Sequence, residues 1–302
     1  MATVGSGTYS YEIIDNWAKL PEGWTFGILV GVAVDSKDRV YVCHQRNDPP
    51  ILVFDRDGNL ITSWGTGEIN EGHLLYIGDE DVLYFVDRGV HIALKLAFDG
   101  SRLLEIGNRG LPSDTGVTEL GGRVLRPGAP FNMPTRLVPS PSGDLYASDG
   151  YRNSRIHRFS SDGTLISSWG EFGSTDPGKF HLPHSLWVDK EGLVYVCDRK
   201  NFRIQIFTPA GDFVSEWTNL VEPVDICMDS NENVFVHLSG GPTEGKGEED
   251  NPSIIVLDKQ GKKLAQWDTP YGHQIWVDRH DDIYMAVCWE QRVMKYVKKS
   301  LI

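Results

Sequence analysis

The sequence predicts an all-β, six-bladed propeller, closed by an N-terminal strand that completes the last blade. Three observations predict it. Two central segments align by eye, their four-strand template recurs before and after them, and the final unit lacks its fourth strand. The aligned segments are FNMPTRLVPSPSGDLYASDGYRNSRIHRFSSDGTLISSWG from Phe131 and FHLPHSLWVDKEGLVYVCDRKNFRIQIFTPAGDFVSEW from Phe180. In the second, an apolar stretch (LPHSLWVD) leads through a KEG turn to an alternating stretch (LVYVCD). A third strand (RIQIFT), a Gly turn and an outer strand ending in Trp follow. Period-two alternation, β-branched and aromatic enrichment and Gly/Asp punctuation mark strands rather than helices.

Taken in order, the blades span residues 27–65, 70–107, 131–170, 180–217, 219–267 and 269–299 of a single 1–302 domain. The first carries VGVAVDSKDRVYVCHQR and ILVFDRDGNLITSWG; the second reads HLLYIGDEDVLYFVDRGVHIALKLAFDGSRLLEIG. The fifth carries PVDICMDSNENVFVHL and SIIVLDKQGKKLAQW, and the sixth, HQIWVDRHDDIYMAVCWEQRVMKYV, stops after three strands. Residues 8–17 (TYSYEIIDNW) supply the missing strand and end in Trp17, as other outer strands end in Trp64, Trp169, Trp217 and Trp267. Closure of this kind protects the edges of the first and last sheets. Two segments stand outside the repeat. Asn108–Pro130 is long enough to act as a lid over one face, and the acidic stretch Gly240–Asp250 reads as a solvated loop.

Composition narrows the function classes. With 29 basic and 42 acidic side chains the net charge is −13, which disfavours nucleic acid, because phosphate contacts need concentrated Lys and Arg. No apolar run approaches the roughly 20 residues that span a bilayer. The N-terminal MATVGSGTYSYEIIDNW has neither the basic nor the apolar region of a secretory signal. Four cysteines in 302 residues do not make a disulfide framework; Cys43, Cys197, Cys227 and Cys288 are expected as buried free thiols. The expectation is a cytoplasmic protein with no nucleic-acid or membrane partner, its oligomeric state open.

Register arithmetic then finds a constellation. The second strands end at His44, Asp87, Asp149, Asp198, Leu238 and Val287; fourteen residues earlier stand Val30, His73, Thr135, His184, Val224 and His273. Histidine fills one slot in blades two, four and six, which a six-fold propeller sets about 120° apart. Three neutral imidazoles with a fourth position open are how a catalytic zinc is held. Zn²⁺ is therefore the expected ion, with Fe or another divalent metal as alternatives. Antiparallel pairing puts the start of strand one and the end of strand two at the same end of a blade. Arg46, Arg88, Tyr151 and Arg199 thus crowd the face of the three histidines, and His44 lies near the same mouth. Arg forks match a carboxylate, so a small anionic substrate suits this ring. A phenol near a metal and cations can serve as general base. Arg88 and Arg199 can equally pair with Asp87 and Asp198 or with neighbouring blades.

The runs SDGYRNSRI (Ser148–Ile156), PGKFHLPHSL (Pro177–Leu186) and CDRKNFRIQIF (Cys197–Phe207) closely resemble the lyase domain of peptidylglycine α-amidating enzymes. That family, peptidyl-α-hydroxyglycine α-amidating lyase, is a six-bladed propeller of NHL repeats, and the resemblance covers about residues 27–299. It implies zinc on His73, His184 and His273, a catalytic Tyr151, and active-site arginines at Arg199 and Arg46. Arg46 needs a one-residue shift, because Gln45 separates it from His44. Departures accompany the match. Arg152 and Ile206 stand where secreted relatives carry disulfide cysteines. The family's calcium site would use carbonyls of Val32 and Leu75 and an aspartate where this chain has Gln274, and losing that charge weakens a structural Ca²⁺ site. No hydroxylating copper domain is recognisable, so a small metabolite is expected rather than a peptide hormone. The implied reaction cleaves the C–N bond of a carboxylate-bearing α-hydroxy amide. Two alternatives stay open: a hydrolase or lactonase on the same three histidines, and a non-catalytic NHL propeller that binds a protein partner.

Overall fold

The computed structural model describes residues 2–46, 48–78, 80–242 and 249–300. Residues 243–248, the middle of the acidic stretch expected as a solvated loop, lie outside them. Every blade is an antiparallel sheet, in five of them with strands that follow one another in chain order, and the fold class is the six-bladed propeller. First strands such as LVGVAV (Leu29–Val34) are continuous apolar runs buried on both faces, whereas outer strands such as FVSEW (Phe213–Trp217) stay partly exposed. That gradient is what small sheets packed face to face require, since only their inner strands are covered on both sides. No helix of the described residues is long and apolar enough to cross a membrane.

The chain divides into two compact units. Residues 68–223 hold three blades, opening with the first strands Gly72–Ile77, Arg136–Pro139 and Pro183–Val188. Their cores are apolar layers such as Val138, Tyr146, Ile156, Phe180, Leu186 and Val196. Residues 1–67 with 224–302 hold the blades opening with Leu29–Val34, Pro223–Met228 (from Val224 onward) and Gly272–Val277. The N-terminal strand completes the last of these: Tyr9–Ile14 pairs antiparallel with Arg292–Lys298. A further strand, Thr3–Ser6, pairs outside it, so this sheet has five strands rather than the expected four. Trp17 lies beyond that strand instead of ending it. Its ring stands edge-on to Phe54 and Tyr284 at 5.6 and 5.1 Å. All four cysteines are buried and free.

Recurring Asp turns join the first two strands. Asp189 accepts the N–H groups of Glu191 and Leu193 at 3.0 and 2.8 Å and the Tyr195 hydroxyl at 3.2 Å. Asp35, Asp229 and Asp278 likewise accept the N–H groups two and four residues on. A carboxylate can do this because it presents two acceptor oxygens to amides the turn leaves unpaired. Asp189→Ala should therefore lower stability by about 2 kcal/mol, seen as a lower urea midpoint at unchanged m-value.

Candidate functional site

The histidines stand where the strand ladder breaks. In residues 68–223 the register runs Gly72↔Asp87 and then Leu75↔Phe85, and Pro183↔Asp198 and then Ser185↔Cys197. His73 and His184 occupy the interruptions. In the other unit Gly272↔Val287 is followed by Gln274↔Ala286 around His273, and Leu29↔His44 by Gly31↔Cys43 around Val30. A bulged residue leaves the ladder and its side chain is re-aimed.

A buried acceptor accompanies the interruptions at His73, His184 and Val30, and the same contact recurs without a register shift in the blade of Thr135. Asp87 accepts the N–H of Asn70 at 2.7 Å, Asp149 that of Asn132 at 2.8 Å, and Asp198 that of His181 at 2.8 Å. Each donor lies three residues before the slot filled by His73, Thr135 or His184. In the first blade an imidazole replaces the carboxylate: His44 Nδ1 accepts the Gly27 N–H at 2.9 Å, three residues before Val30. Sequence reading placed His44 near the mouth but did not see this role. The signal was present, because His44 occupies the aspartate's position in the repeat.

Tyr151 closes the site in residues 68–223. Its hydroxyl is 3.0 Å from His73 Nε2 and 3.0 Å from His184 Nε2. The two imidazoles lie 5.0 Å apart, centroid to centroid. Met133 and Leu182 pack against the tyrosine in a buried apolar cluster, and Arg88 lies over its ring with Cζ 4.7 Å from the centroid. The backbone is pinned as well. Gly150, just before it, is so close to Pro183 that an added Cβ would come 2.3 Å from the carbonyl oxygen. The Tyr151 carbonyl accepts the Gly121 N–H at 2.6 Å, and the Gly121 carbonyl in turn meets His181 Nε2 at 3.0 Å. Asn108–Pro130 is thus tied to the tyrosine's own peptide, which a reading of the loop from its length alone does not show.

Neither Arg88 nor Arg199 pairs with the aspartate beside it, and Arg199 reaches a neighbouring blade, as the sequence allowed. Arg88 pairs with Glu71 at 2.6 Å, not Asp87. Arg199 pairs with Glu222 at 3.0 Å, while Asp198 is held by Arg203 at 2.9 Å. Arg46 donates Nη1 to the Thr25 carbonyl and hydroxyl at 3.1 and 2.7 Å. It lines a cavity of about 240 Å³ with Trp24, Thr25 and Asp48.

His73 and His273 make outer hydrogen bonds to the same place in the repeat. His73 Nδ1 meets the Thr135 carbonyl at 2.6 Å and His273 Nδ1 the Val30 carbonyl at 2.8 Å. Thr135 and Val30 fill the slot in the blades that lack histidine. A carbonyl only accepts, so each ring carries its proton on Nδ1 and turns the Nε2 lone pair inward. His73 and His184 in one unit and His273 in the other are all buried. Beside His273, the Gln274 side-chain oxygen accepts the Val32 N–H at 3.0 Å.

His44 provides a test of the clamp. Its Nδ1 accepts from Gly27, so Nε2 donates to the Pro49 carbonyl at 3.0 Å and the ring must be neutral. Burial pushes its pKa down to about 4, the Arg46 charge adding to this against the pull of the Pro49 carbonyl. The unfolded chain takes up the same proton near 6.5. The stabilisation is therefore complete above about pH 6.5 and is lost as pH falls towards 4, by up to roughly 3 kcal/mol. His44→Asn retains an acceptor without the titration. Its denaturant midpoint should fall less than the wild-type midpoint between about pH 7 and pH 4.5.

Known proteins resemble this chain. The NHL repeat family profile matches residues 180–207, which carry both His184 and Arg199. Human NHL repeat-containing protein 3 is 32% identical over 221 residues, covering 69% of this chain and 60% of that protein. Peptidyl-alpha-hydroxyglycine alpha-amidating lyase 1 of Drosophila melanogaster is 26% identical over 271 residues, covering 81% of this chain and 48% of that protein. The chain thus spans less than two thirds of either relative's length. Among solved structures, a streptogramin B lyase superposes with a TM-score of 0.64 at 13% identity, covering 96% of this chain and 98% of that one, a likeness of fold alone. With its repeats, its blades and these relatives, the chain belongs to the NHL-repeat β-propellers that include the peptidyl-α-hydroxyglycine α-amidating lyases.

Proposed function

We propose that this protein is a metal-dependent lyase cleaving the C–N bond of a small α-hydroxy amide that bears a carboxylate. The observation that carries this reading is the convergence of His73 Nε2 and His184 Nε2 on the Tyr151 hydroxyl, each at 3.0 Å. One hydroxyl proton satisfies one of these nitrogens, and a cation among the imidazoles suits the rest of the donor set. His73 and His184 would be two of its ligands, and His273, which fills the same slot of the repeat, the third. Three neutral imidazoles favour Zn²⁺, with Fe or another divalent ion as alternatives. When bound, such an ion supplies Lewis acidity to a substrate oxygen.

The chain's own residues supply the rest. Tyr151 takes the proton of the substrate's hydroxyl as general base. The freed electron pair forms the aldehyde C=O, the C–N bond breaks, and the nitrogen takes a proton to leave as a primary amide. No water is consumed. Arg88, over the ring at 4.7 Å, favours negative charge on the phenol oxygen. Arg199, with Arg46 in support, receives the carboxylate through charge-assisted hydrogen bonds. The net charge of −13 also fits a small anion drawn to a local cluster of arginines better than it fits a polyanion. The amidating-lyase relatives support a lyase-type enzyme.

The purified protein incubated with α-hydroxyhippurate should release benzamide and glyoxylate in equal amounts. Benzoate in place of benzamide would instead mark a hydrolase, and the absence of any product would sink the reading. Tyr151→Phe should lower kcat by about 10³ with little change in KM. His184→Ala should lose stoichiometric metal by mass spectrometry and lose activity with it, because two imidazoles make a poor site.

A further inference from the structure

The same device is built twice in residues 68–223, and the second copy is rewired. Arg88 and Arg199 each directly follow the last residue of a second strand, Asp87 or Asp198. Two residues before the histidine of its own blade, Arg88 finds Glu71, at 2.6 Å. The matching residue for Arg199 is Leu182, which cannot pair with it and packs on Tyr151 instead. Arg199 turns to Glu222, the residue in that same position of the following repeat.

Three features show that Glu222 is placed rather than incidental. It adopts φ 45°, in the left-handed region and directly before Pro223, a strained conformation for a non-glycine residue. Its two oxygens are divided: Oε2 meets Arg199 Nε at 3.0 Å, and Oε1 pairs with Lys200 Nζ. It also stays ionised. Burial would raise its carboxyl, but hydrogen bonds and charge from Lys200 and Arg199 hold it below the usual range. By engaging Nε, Glu222 fixes the plane of the guanidinium. A short 3₁₀ turn, Arg199–Asn201, holds both cations on one side of the carboxylate.

We propose that Glu222, braced by Lys200, is a positioning residue that orients Arg199 to receive the substrate's carboxylate. This rests on the lyase reading for the substrate class, but its test is binding rather than turnover. Calorimetry of the purified protein with hippurate, and with hippuramide in which the carboxylate is blocked, reads the contact directly. Wild type should bind hippurate at least about tenfold more tightly than hippuramide. Glu222→Gln should weaken hippurate about tenfold and leave hippuramide unchanged, and Glu222→Asp should recover part of the loss. In an Arg199→Gln background the same change should matter less than about twofold, because the two residues act as one unit. Lys200→Gln, a milder change on an exposed side chain, should weaken hippurate in the same direction.

The inference is overturned if Glu222→Gln binds hippurate as wild type does, if both ligands weaken alike, or if wild type does not discriminate between them. Glyoxylate release from α-hydroxyhippurate by the same preparation decides the lyase reading separately. Selective carboxylate binding that depends on Glu222, without glyoxylate release, would uphold the positioning role and remove the lyase.

Discussion

A buried acceptor at the end of the second strand is the constraint on which the site depends. Asp87, Asp149 and Asp198 each take a backbone N–H three residues before the slot, and the chain can then leave the ladder at a defined place. Without that acceptor the incoming segment would lose a buried hydrogen bond, and the register of the next strand would be less well fixed. The Asp87 and Asp198 carboxylates are each held by several donors. Burial pushes the Asp198 carboxyl up, but Asn201, the His181 amide and Arg203 all donate to it. Removing one partner from such a cluster is destabilising, even where the cluster itself adds little net stability.

The clamp explains why histidine recurs on alternate blades. A ligand imidazole needs its second nitrogen engaged, or its tautomer and orientation are left undetermined. His73 uses the Thr135 carbonyl and His273 the Val30 carbonyl, so one blade supplies the ligand and the next supplies its acceptor. Because the acceptor is backbone, the alternate slots can vary in side chain. Thr135 uses its hydroxyl on Ser148 and the Pro183 carbonyl, which joins its strand to that carrying His184.

What could be read from the sequence followed the range of each interaction. Strands and blades were legible because alternation and turn residues act within a few positions. The His73, His184 and His273 slot was legible because it could be counted from the anchor of each repeat. The bulges were not, since a repeat shared by all blades shows no break in spacing. The role of His44 was hidden because an imidazole does there what a carboxylate does in three other blades. That Arg88 and Arg199 do not pair with the aspartates beside them has a different reason. Both lie near Asp87 and Asp198 in sequence, but those carboxylates are already occupied by backbone amides and, for Asp198, by Arg203. Trp17 shows the limit of a repeat-based rule: it sits where the repeat puts it in space but past the end of the strand it was expected to close.

The left-handed residues bear on what kind of propeller this is. Met133, Leu182 and Glu222 have φ of 66°, 64° and 45°, and each stands before a proline that disfavours helical backbone. Three such residues together represent several kcal/mol of strain, and strain of this size persists only where the surroundings over-determine it. A scaffold that only presents its surface to a partner gains nothing from it, because a residue in extended conformation could lead into the same strand. Here the three residues serve one purpose. Met133 and Leu182 wall the Tyr151 ring, Glu222 holds Arg199, and each lies two residues ahead of the slot. Left-handed residues also occur elsewhere in the chain, but these three lie beside groups a lyase would need to hold still, which favours a chemical use of this face over a purely structural one.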